Sequence, residues 1–311
     1  MTNKIVVIVG PTASGKTRLS IDLAKRFNGE IISGDSMQIY KNMDIGTAKA
    51  SLEERAEVKH HLVDIIEPEQ EYALQEFLSD ANKCVHNIHE CDKIPFIVGG
   101  TGLYITSFID NIKLADAEID EGYREFLADF AEKEGPAALR EMLKEIDPDS
   151  YEKFHDNDTK RIIRALEVYH TTGKTITEQN KESKKEKSPY DFYIIGLNYA
   201  DRELLYKRIE DRVDLMMEKG FVDEVKNLNL QTCSKTARQA IGYKQIQAFL
   251  DKQISLAEAI FLIKQESRRY AKRQLTWFRR DKRINWINND ENSYWEIFEH
   301  FEKQIEKFLN S

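Results

Sequence analysis

Gly10-Pro11-Thr12-Ala13-Ser14-Gly15-Lys16-Thr17 fits the phosphate-loop pattern G-x-x-x-x-G-K-[ST] at every position. It follows the apolar run at residues 5–9 and opens into Arg18-Leu19-Ser20-Ile21-Asp22-Leu23-Ala24, whose apolar spacing is helical. Strand, glycine-rich loop and helix in that order let backbone N–H groups converge on phosphate oxygens at a helix N-terminus. Lys16 adds a positive charge, and the Thr17 hydroxyl can complete a Mg²⁺ shell. Gly10, Thr12, Ala13, Ser14, Gly15, Lys16 and Thr17 are therefore the candidate diphosphate- or triphosphate-binding residues, with Thr17 the candidate metal ligand. The alternative, a chance glycine-rich turn, leaves the matching flanks unexplained.

Outward from the loop, short β-branched runs recur at residues 4–9, 30–33, 61–65 and 94–98, separated by helical patterns. Strands alternating with helices imply βαβ units and a parallel sheet. A last buried strand is expected at 190–197. The intervening stretch is helical, with Tyr123-Arg124-Glu125-Phe126-Leu127, Ala138-Leu139-Arg140-Glu141-Met142-Leu143 and residues 162–169 each placing apolar side chains three or four apart. The expected fold is α/β: a P-loop NTPase-like core with a parallel sheet over residues 1–110 and 189–311, and an all-helical insert domain over 111–188. Helices at 202–228, 256–278 and 294–309 should pack back onto the core. The charged, glycine-free run at 180–189 reads as an exposed linker.

With 311 residues, 41% of them apolar, the chain can bury one or two cores. A net charge of −8 excludes a uniformly positive coat, so an anionic partner has to be met by local clusters. Cys84, Cys91 and Cys233 lack the short spacing of zinc sites and read as reduced thiols. The run at residues 5–9 is too short for a signal sequence or a membrane span, so a cytoplasmic protein with no membrane association is expected.

A phosphate loop does not name the reaction. A kinase or NTPase wants a second carboxylate, and two stand ready. Asp35 follows the strand at 30–33, on the edge where parallel sheets collect ligand-binding groups, and Asp64 closes His61-Leu62-Val63-Asp64. Capping is the ordinary alternative for such a residue. His60 and His61 would point to opposite sides of a strand and so not share a metal.

The loop is the first of an ordered set of segments. Gly34-Asp35-Ser36-Met37-Gln38-Ile39-Tyr40-Lys41-Asn42-Met43-Asp44-Ile45-Gly46-Thr47-Ala48-Lys49 comes next, then His60-His61-Leu62-Val63-Asp64 and Val98-Gly99-Gly100-Thr101-Gly102-Leu103-Tyr104. Asn157-Asp158 leads to Arg161-Ile162-Ile163-Arg164-Ala165-Leu166-Glu167-Val168-Tyr169, followed by Arg208-Ile209-Glu210-Asp211-Arg212-Val213-Asp214-Leu215-Met216 and Ile241-Gly242-Tyr243-Lys244-Gln245. Covering nearly the whole chain, the set resembles the bacterial tRNA dimethylallyltransferase family, and the block from Asp35 to Lys49 is its most particular part. The resemblance implies transfer of a dimethylallyl group from dimethylallyl diphosphate to the exocyclic amine of the adenosine just 3′ of the anticodon, with release of pyrophosphate. It implies tRNA, through its anticodon stem-loop, as partner and Mg²⁺ as cofactor. Asp35 matches the family's general base, and Arg212 its pyrophosphate-contacting arginine.

That amine is a poor nucleophile because its lone pair is delocalised into the ring, so a positioned base helps it attack. Lys16, Arg212 and the metal on Thr17 should stabilise charge growing on the departing diphosphate. Thr101 either touches the acceptor base, orients Asp35 or simply caps a turn. Arg208 and Arg212 share one helix face, which beside Glu210 and Asp211 is also the pattern of a solvated surface. Asp35, Thr101, Lys16 and Arg212 form the expected catalytic set, and a dimethylallyl tail implies an apolar channel beside the loop.

For tRNA, residues 265–283 carry Arg268, Arg269, Lys272, Arg273, Arg279, Arg280, Lys282 and Arg283 against only Glu266 and Asp281. Tyr270, Trp277 and Phe278 are interleaved, as anchors for bases or as core. Lys160, Arg161 and Arg164 make a second cluster on the insert, where Tyr123 is a further expected contact, and two separated patches suit an L-shaped ligand. Asp35, Ser36, Met37, Gln38 and Thr101 are expected around the acceptor base. The block Ala240, Ile241, Gly242, Tyr243, Lys244 and Gln245 mixes amide, cationic and aromatic groups suited to reading an extruded base. A monomer is expected. The rivals are a small-molecule P-loop kinase, an adenylate prenyltransferase, and an RNA-binding module with a vestigial loop.

Overall fold

Lys4–Val9 (β1) is buried along nearly its whole length, as a strand covered on both faces of a parallel sheet must be. The computed structural model describes residues 3–113, 120–183 and 186–311. Met1 and Thr2, residues 114–119 of the expected insert, and Lys184 and Lys185 of the expected linker lie outside the described residues. Five more strands join β1: Gly29–Ser33 (β2), His60–His61 (β3), Ile94–Gly99 (β4), Asp191–Asn198 (β5) and Ile284–Asn288 (β6). Their order is β3-β2-β4-β1-β5-β6, and every pairing is parallel. Val9 stands opposite both Gly99 and Gly196, so β1 and β4 end level, with β5 running on to Asn198, and the loops leaving β1 and β4 are neighbours.

Around the sheet run Lys16–Arg26 (α1), Leu52–Glu57 (α2), Leu74–Glu90 (α3) and Gly102–Ile109 (α4). The chain divides into two compact units, Met1–Phe108 with Pro189–Ser311, and Ile109–Ser188. The second unit holds Glu121–Glu134 (α5), Pro136–Ile146 (α6), Pro148–Lys153 (α7), Thr159–Thr172 (α8) and Ile176–Ser183 (α9) around Leu127, Leu139, Leu143, Ile162 and Leu166. Its fully buried Glu167 is paired at 2.8 Å with both Arg124 and Arg164. The first unit continues with Arg202–Glu218 (α10), Phe221–Asn227 (α11), Lys235–Arg238 (α12), Tyr243–Leu250 (α13), Leu256–Phe278 (α14) and Tyr294–Asn310 (α15). Leu19 and Leu23 of α1 and Ile297, Phe301 and Ile305 of α15 join Val6, Ile8, Phe96 and Ile195 in one core, each buried side chain contributing about 1.5–3 kcal/mol. No helix among the described residues is long and apolar enough to cross a membrane.

Four expectations need correction. The strand expected at 61–65 stops at His61, because Leu62 (φ +58°) and Asp64 (φ +56°) adopt left-handed conformations that no strand accepts. The strand at 190–197 is not the last, since Ile284-Asn285-Trp286-Ile287-Asn288 adds an edge to β5. The helix expected at 202–228 breaks at Gly220 (φ +90°) into α10 and α11, and α9 runs into the expected linker.

Candidate active site

Gly10 leaves β1 with φ +152°, and a Cβ there would lie 2.6 Å from the Leu197 carbonyl oxygen, so glycine alone lets the chain turn over the sheet edge. Lys16 and Thr17 open α1, whose first N–H groups have no intrahelical partner. The Lys16 ammonium donates to the carbonyl oxygens of Gly10 (3.0 Å) and Pro11 (2.7 Å). Burial and the charge of Arg212 push it down to about 7, with Asp35 pulling the other way. Burial likewise lowers the Arg212 guanidinium, again against Asp35. Two cations held in a poorly solvated place at the mouth of a helix favour an anion between them. Among the described residues the buried Ser14 hydroxyl has no hydrogen-bond partner, a deficit that an anion would relieve.

Three groups hold the loop from outside. Gln274 Oε1 on α14 accepts the Thr12 N–H (2.8 Å), Arg208 Nε on α10 donates to the Ala13 carbonyl (3.1 Å), and Asn289 Nδ2 after β6 donates to the Ser14 carbonyl (2.6 Å). Spacing places Arg208 on the face of Arg212 but points to neither Gln274 nor Asn289. The Thr12 N–H, counted among the phosphate donors, is therefore occupied, and Gly10 shapes the loop without lining the cavity below.

Asp35 leaves β2 beside β4: Gly34 donates to the Val98 carbonyl (2.8 Å) and Thr101 N–H to the Gly34 carbonyl (3.2 Å). Asp35 Oδ1 accepts the Met37 N–H at 2.9 Å, so the capping role is real, and it uses one carboxylate oxygen. Thr101 Oγ1 accepts the Ser36 N–H (3.0 Å) and donates to the Ser36 hydroxyl (3.3 Å). Of its possible roles the geometry supports orienting the Asp35 turn, since Thr101 is not among the cavity-lining residues. Burial raises the Tyr270 hydroxyl and the Asp35 charge adds to this, while Thr101 and Gln274 oppose it. The carboxylate thus stands among Lys16, Arg212 and Tyr270.

These groups face one cavity of about 860 Å³. Thr12 to Thr17 and Asp35 to Gln38 contribute polar walls, and Arg208 and Arg212 reach it from α10. Ile209, Val213 and Met216, from successive turns of the same helix, join Phe221, Ile241 and Ile263 as apolar lining. Residues 44–52 close another side. That segment is tied down by Glu224 of α11, whose carboxylate takes the N–H groups of Asp44 (2.9 Å), Ile45 (2.7 Å) and Gly46 (3.0 Å) and the Tyr243 hydroxyl (2.6 Å).

Asp64 is absent from this lining. Although burial raises it, hydrogen bonds from Lys49 and Arg55 hold its carboxyl below the usual range. A kinase-like second carboxylate at that position is thereby lost. His60 Nδ1 meets the Val58 carbonyl (2.7 Å) and His61 Nε2 meets Glu30 (2.6 Å). Among the described residues no group of three or more His, Cys, Asp or Glu side chains could hold a metal.

The sequence pattern described as IPP transferase matches residues 38–281. The chain belongs to the IPP transferase family. A second pattern, isopentenyl transferase, matches residues 3–64. The chain is 52% identical over 301 residues to a tRNA dimethylallyltransferase of Carboxydothermus hydrogenoformans, covering 96% of each chain. Its fold is similar to that of the full-length tRNA isopentenylpyrophosphate transferase from Bacillus halodurans (TM-score 0.75, 43% identity, covering 99% of this chain and 97% of that one). A eukaryotic dimethylallyltransferase acting on tRNA gives a TM-score of 0.78 at 32% identity, over 94% of this chain and 75% of that one.

In this IPP transferase the residues expected to meet a nucleic acid differ in their surroundings. Ser36, Met37, Gln38, Ala240, Ile241 and Arg273 line the cavity. Tyr243 is fully buried and bound to Glu224, and Gln245 accepts the Gly242 N–H, so neither side chain is open to read a base. Lys244 lines a separate shallow cleft. On α14, Lys272 is exposed, Arg269 is exposed and paired with Glu266 at 2.7 Å, and the half-buried Arg268 is paired with Glu210. Phe278 is core, and Trp277 Nε1 donates to Thr106 Oγ1 (2.8 Å), which settles these two as packing groups. In the second unit Lys160 is exposed, Arg161 reaches Asp158 at 3.5 Å, Arg164 pairs with Glu167, and Tyr123 stacks on His170 at 3.9 Å.

Proposed function

We propose that this protein transfers a dimethylallyl group from dimethylallyl diphosphate to the exocyclic amine of the adenosine 3′ of the anticodon in tRNA, working as a monomer in the cytoplasm. The observation that carries the reading is one cavity in which Lys16 and Arg212, the carboxylate of Asp35 and an apolar wall from Ile209, Val213 and Met216 meet. Diphosphate binds the N-terminus of α1, where Lys16 and Arg212 offset its charge. The tail lies along the apolar wall, away from water. The amine nitrogen attacks the allylic carbon as the carbon–oxygen bond breaks, the electron pair leaves with pyrophosphate, and the proton on nitrogen passes to Asp35. Thr101 holds Ser36, and so the turn on which Asp35 sits.

Mg²⁺ fits the donors present. The Thr17 hydroxyl lies at the start of α1 beside the cavity, with no cluster of three carboxylates or other ligands among the described residues, and Mg²⁺ is commonly held by few protein groups plus phosphate oxygens and water. When bound it would offset charge on the diphosphate.

The tRNA is held by the exposed cations of α14 and of the insert unit. The experiment is incubation with dimethylallyl diphosphate, Mg²⁺ and an anticodon stem-loop, reading the RNA by mass. A dimethylallyl increment is expected. No increment, or phosphoryl transfer when ATP replaces the donor, would overturn the reading.

A further inference from the structure

α14 presents one face to solvent through Arg269 and Lys272, and on another carries Gln274, whose side chain is buried. Both ends of that amide are used, each by a different loop. Oε1 accepts the Thr12 N–H at 2.8 Å, and Nε2 donates to the Gly100 carbonyl at 3.0 Å. The order matters, because a reversed amide would set donor against donor and acceptor against acceptor. The approach is also close: a Cβ on Gly100 would fall 2.1 Å from Nε2.

Thr12 belongs to the phosphate loop after β1, and Gly100 to the turn after β4, two neighbouring strands in register at Val9 and Gly99. The Gly100 turn runs directly into Thr101, which holds the Ser36 N–H beside Asp35. Gln274 therefore joins the element that grips diphosphate to the element that orients the base. Tyr270, one helical turn earlier, faces Thr101 and Asp35 from the same helix.

We propose that Gln274 is a positioning residue for the transfer reaction, fixing the phosphate loop against the turn that carries Thr101. This rests on the prenyl-transfer reading above. The clasp acts at two places that must keep one separation, between the leaving diphosphate and the amine being deprotonated. It uses up the Thr12 N–H and leaves the opening turn of α1, at Lys16 and Thr17, to the phosphate oxygens. Losing it frees the two loops to move relative to each other while the sheet beneath stays intact.

The test uses Gln274→Met, which removes both hydrogen bonds at similar size, and Gln274→Glu, which keeps an acceptor for Thr12 but turns an oxygen toward the Gly100 carbonyl. Each variant is measured for thermal unfolding, pyrophosphate affinity by calorimetry, RNA affinity, and single-turnover transfer at saturating substrates with the folded fraction counted. The expected result is a cooperative unfolding transition and parent-like RNA affinity, with the transfer rate per folded molecule down about 10- to 100-fold. Pyrophosphate affinity should fall severalfold in Gln274→Met and further in Gln274→Glu, which adds a negative charge near the loop. A merely structural role predicts instead that activity falls only with the folded fraction, and that result, or parent-like rates in both variants, would overturn the proposal. If the parent transfers no prenyl group to RNA, it is the proposed function that fails. The pyrophosphate titrations then still decide the clasp, unchanged affinity in both variants counting against it.

Discussion

Lys16 and Arg212 line the same cavity, and burial together with that guanidinium brings the Lys16 ammonium from 10.5 down to about 7, against the pull of Asp35. The folded value lies below the unfolded one, so between these limits the unfolded chain holds more protons and this group makes folding more favourable as pH rises. An anion in the loop acts in the opposite direction on Lys16, restoring its charge.

Pyrophosphate binding above pH 7 should therefore take up a proton, and affinity should fall as pH rises past the value for free Lys16. Calorimetry at pH 8 in buffers of different ionisation enthalpy reads the uptake directly, with about one proton expected at most from this group. Lys16→Met should lose that uptake along with much of the affinity. Equal proton uptake in parent and variant would assign the linkage to another group.

A second prediction concerns Glu224. Its carboxylate accepts three consecutive backbone N–H groups, from Asp44, Ile45 and Gly46, and the Tyr243 hydroxyl as well. Glu224→Ala leaves all four without that acceptor and should cost about 2–4 kcal/mol in urea unfolding, since orphaned donors lose their full desolvation penalty. Hydrogen exchange at residues 44–46 should speed up more than in β1. Unaltered exchange there would mean that the segment is held by other contacts.

How much of this is readable in advance follows from range. The phosphate loop is legible because Gly10, Gly15, Lys16 and Thr17 act through local backbone geometry, and β1, β4 and β5 because buried parallel strands are continuous apolar runs. β6 is hidden by Asn285 and Asn288, which dilute the apolar pattern of an edge strand paired on one side. Asp64 looks like a strand end because a left-handed turn at Leu62 leaves no trace in hydrophobicity. Gln274 cannot be found from spacing at all: its partners lie 262 and 174 residues away. Tyr243 reads as a base contact because aromatic and amide groups look alike in sequence whether they meet a ligand or a buried carboxylate.

The basic face of α14 divides by the same criterion. Lys272 is exposed, and so is Arg269, whose 2.7 Å pair with Glu266 lies at the surface and can give way to a phosphate, whereas Arg268 is half-buried and paired with Glu210. If tRNA lies on this face, Arg269→Ala and Lys272→Ala should each reduce the log-log salt dependence of binding by about one unit. Arg268→Ala should leave the slope close to that of the parent. Filter binding over a range of salt concentrations makes the comparison, and equal slopes in all three variants would remove α14 from the interface.

The last prediction is that Asp35→Asn keeps both substrates bound and nearly abolishes transfer. Asp35 Oδ1 is occupied by the Met37 N–H, and asparagine can keep that contact through its own oxygen. The turn, with Ser36 held by Thr101, should then survive the change. What disappears is the basicity that removes the proton from the attacking amine, and a charge that opposes the depression of Lys16. The two losses have separate signatures. Removing a general base costs about 10²- to 10⁴-fold in rate, or roughly 3–5.5 kcal/mol of barrier. Removing the charge leaves Lys16 with a still lower affinity for its proton, so the pH above which pyrophosphate binding weakens should move down. Single-turnover transfer at saturating tRNA and donor measures the first, and pyrophosphate titration across pH the second. Parent-like turnover would refute the assignment of Asp35 as base, whereas a loss of tRNA affinity as large as the loss of rate would make it a binding residue instead.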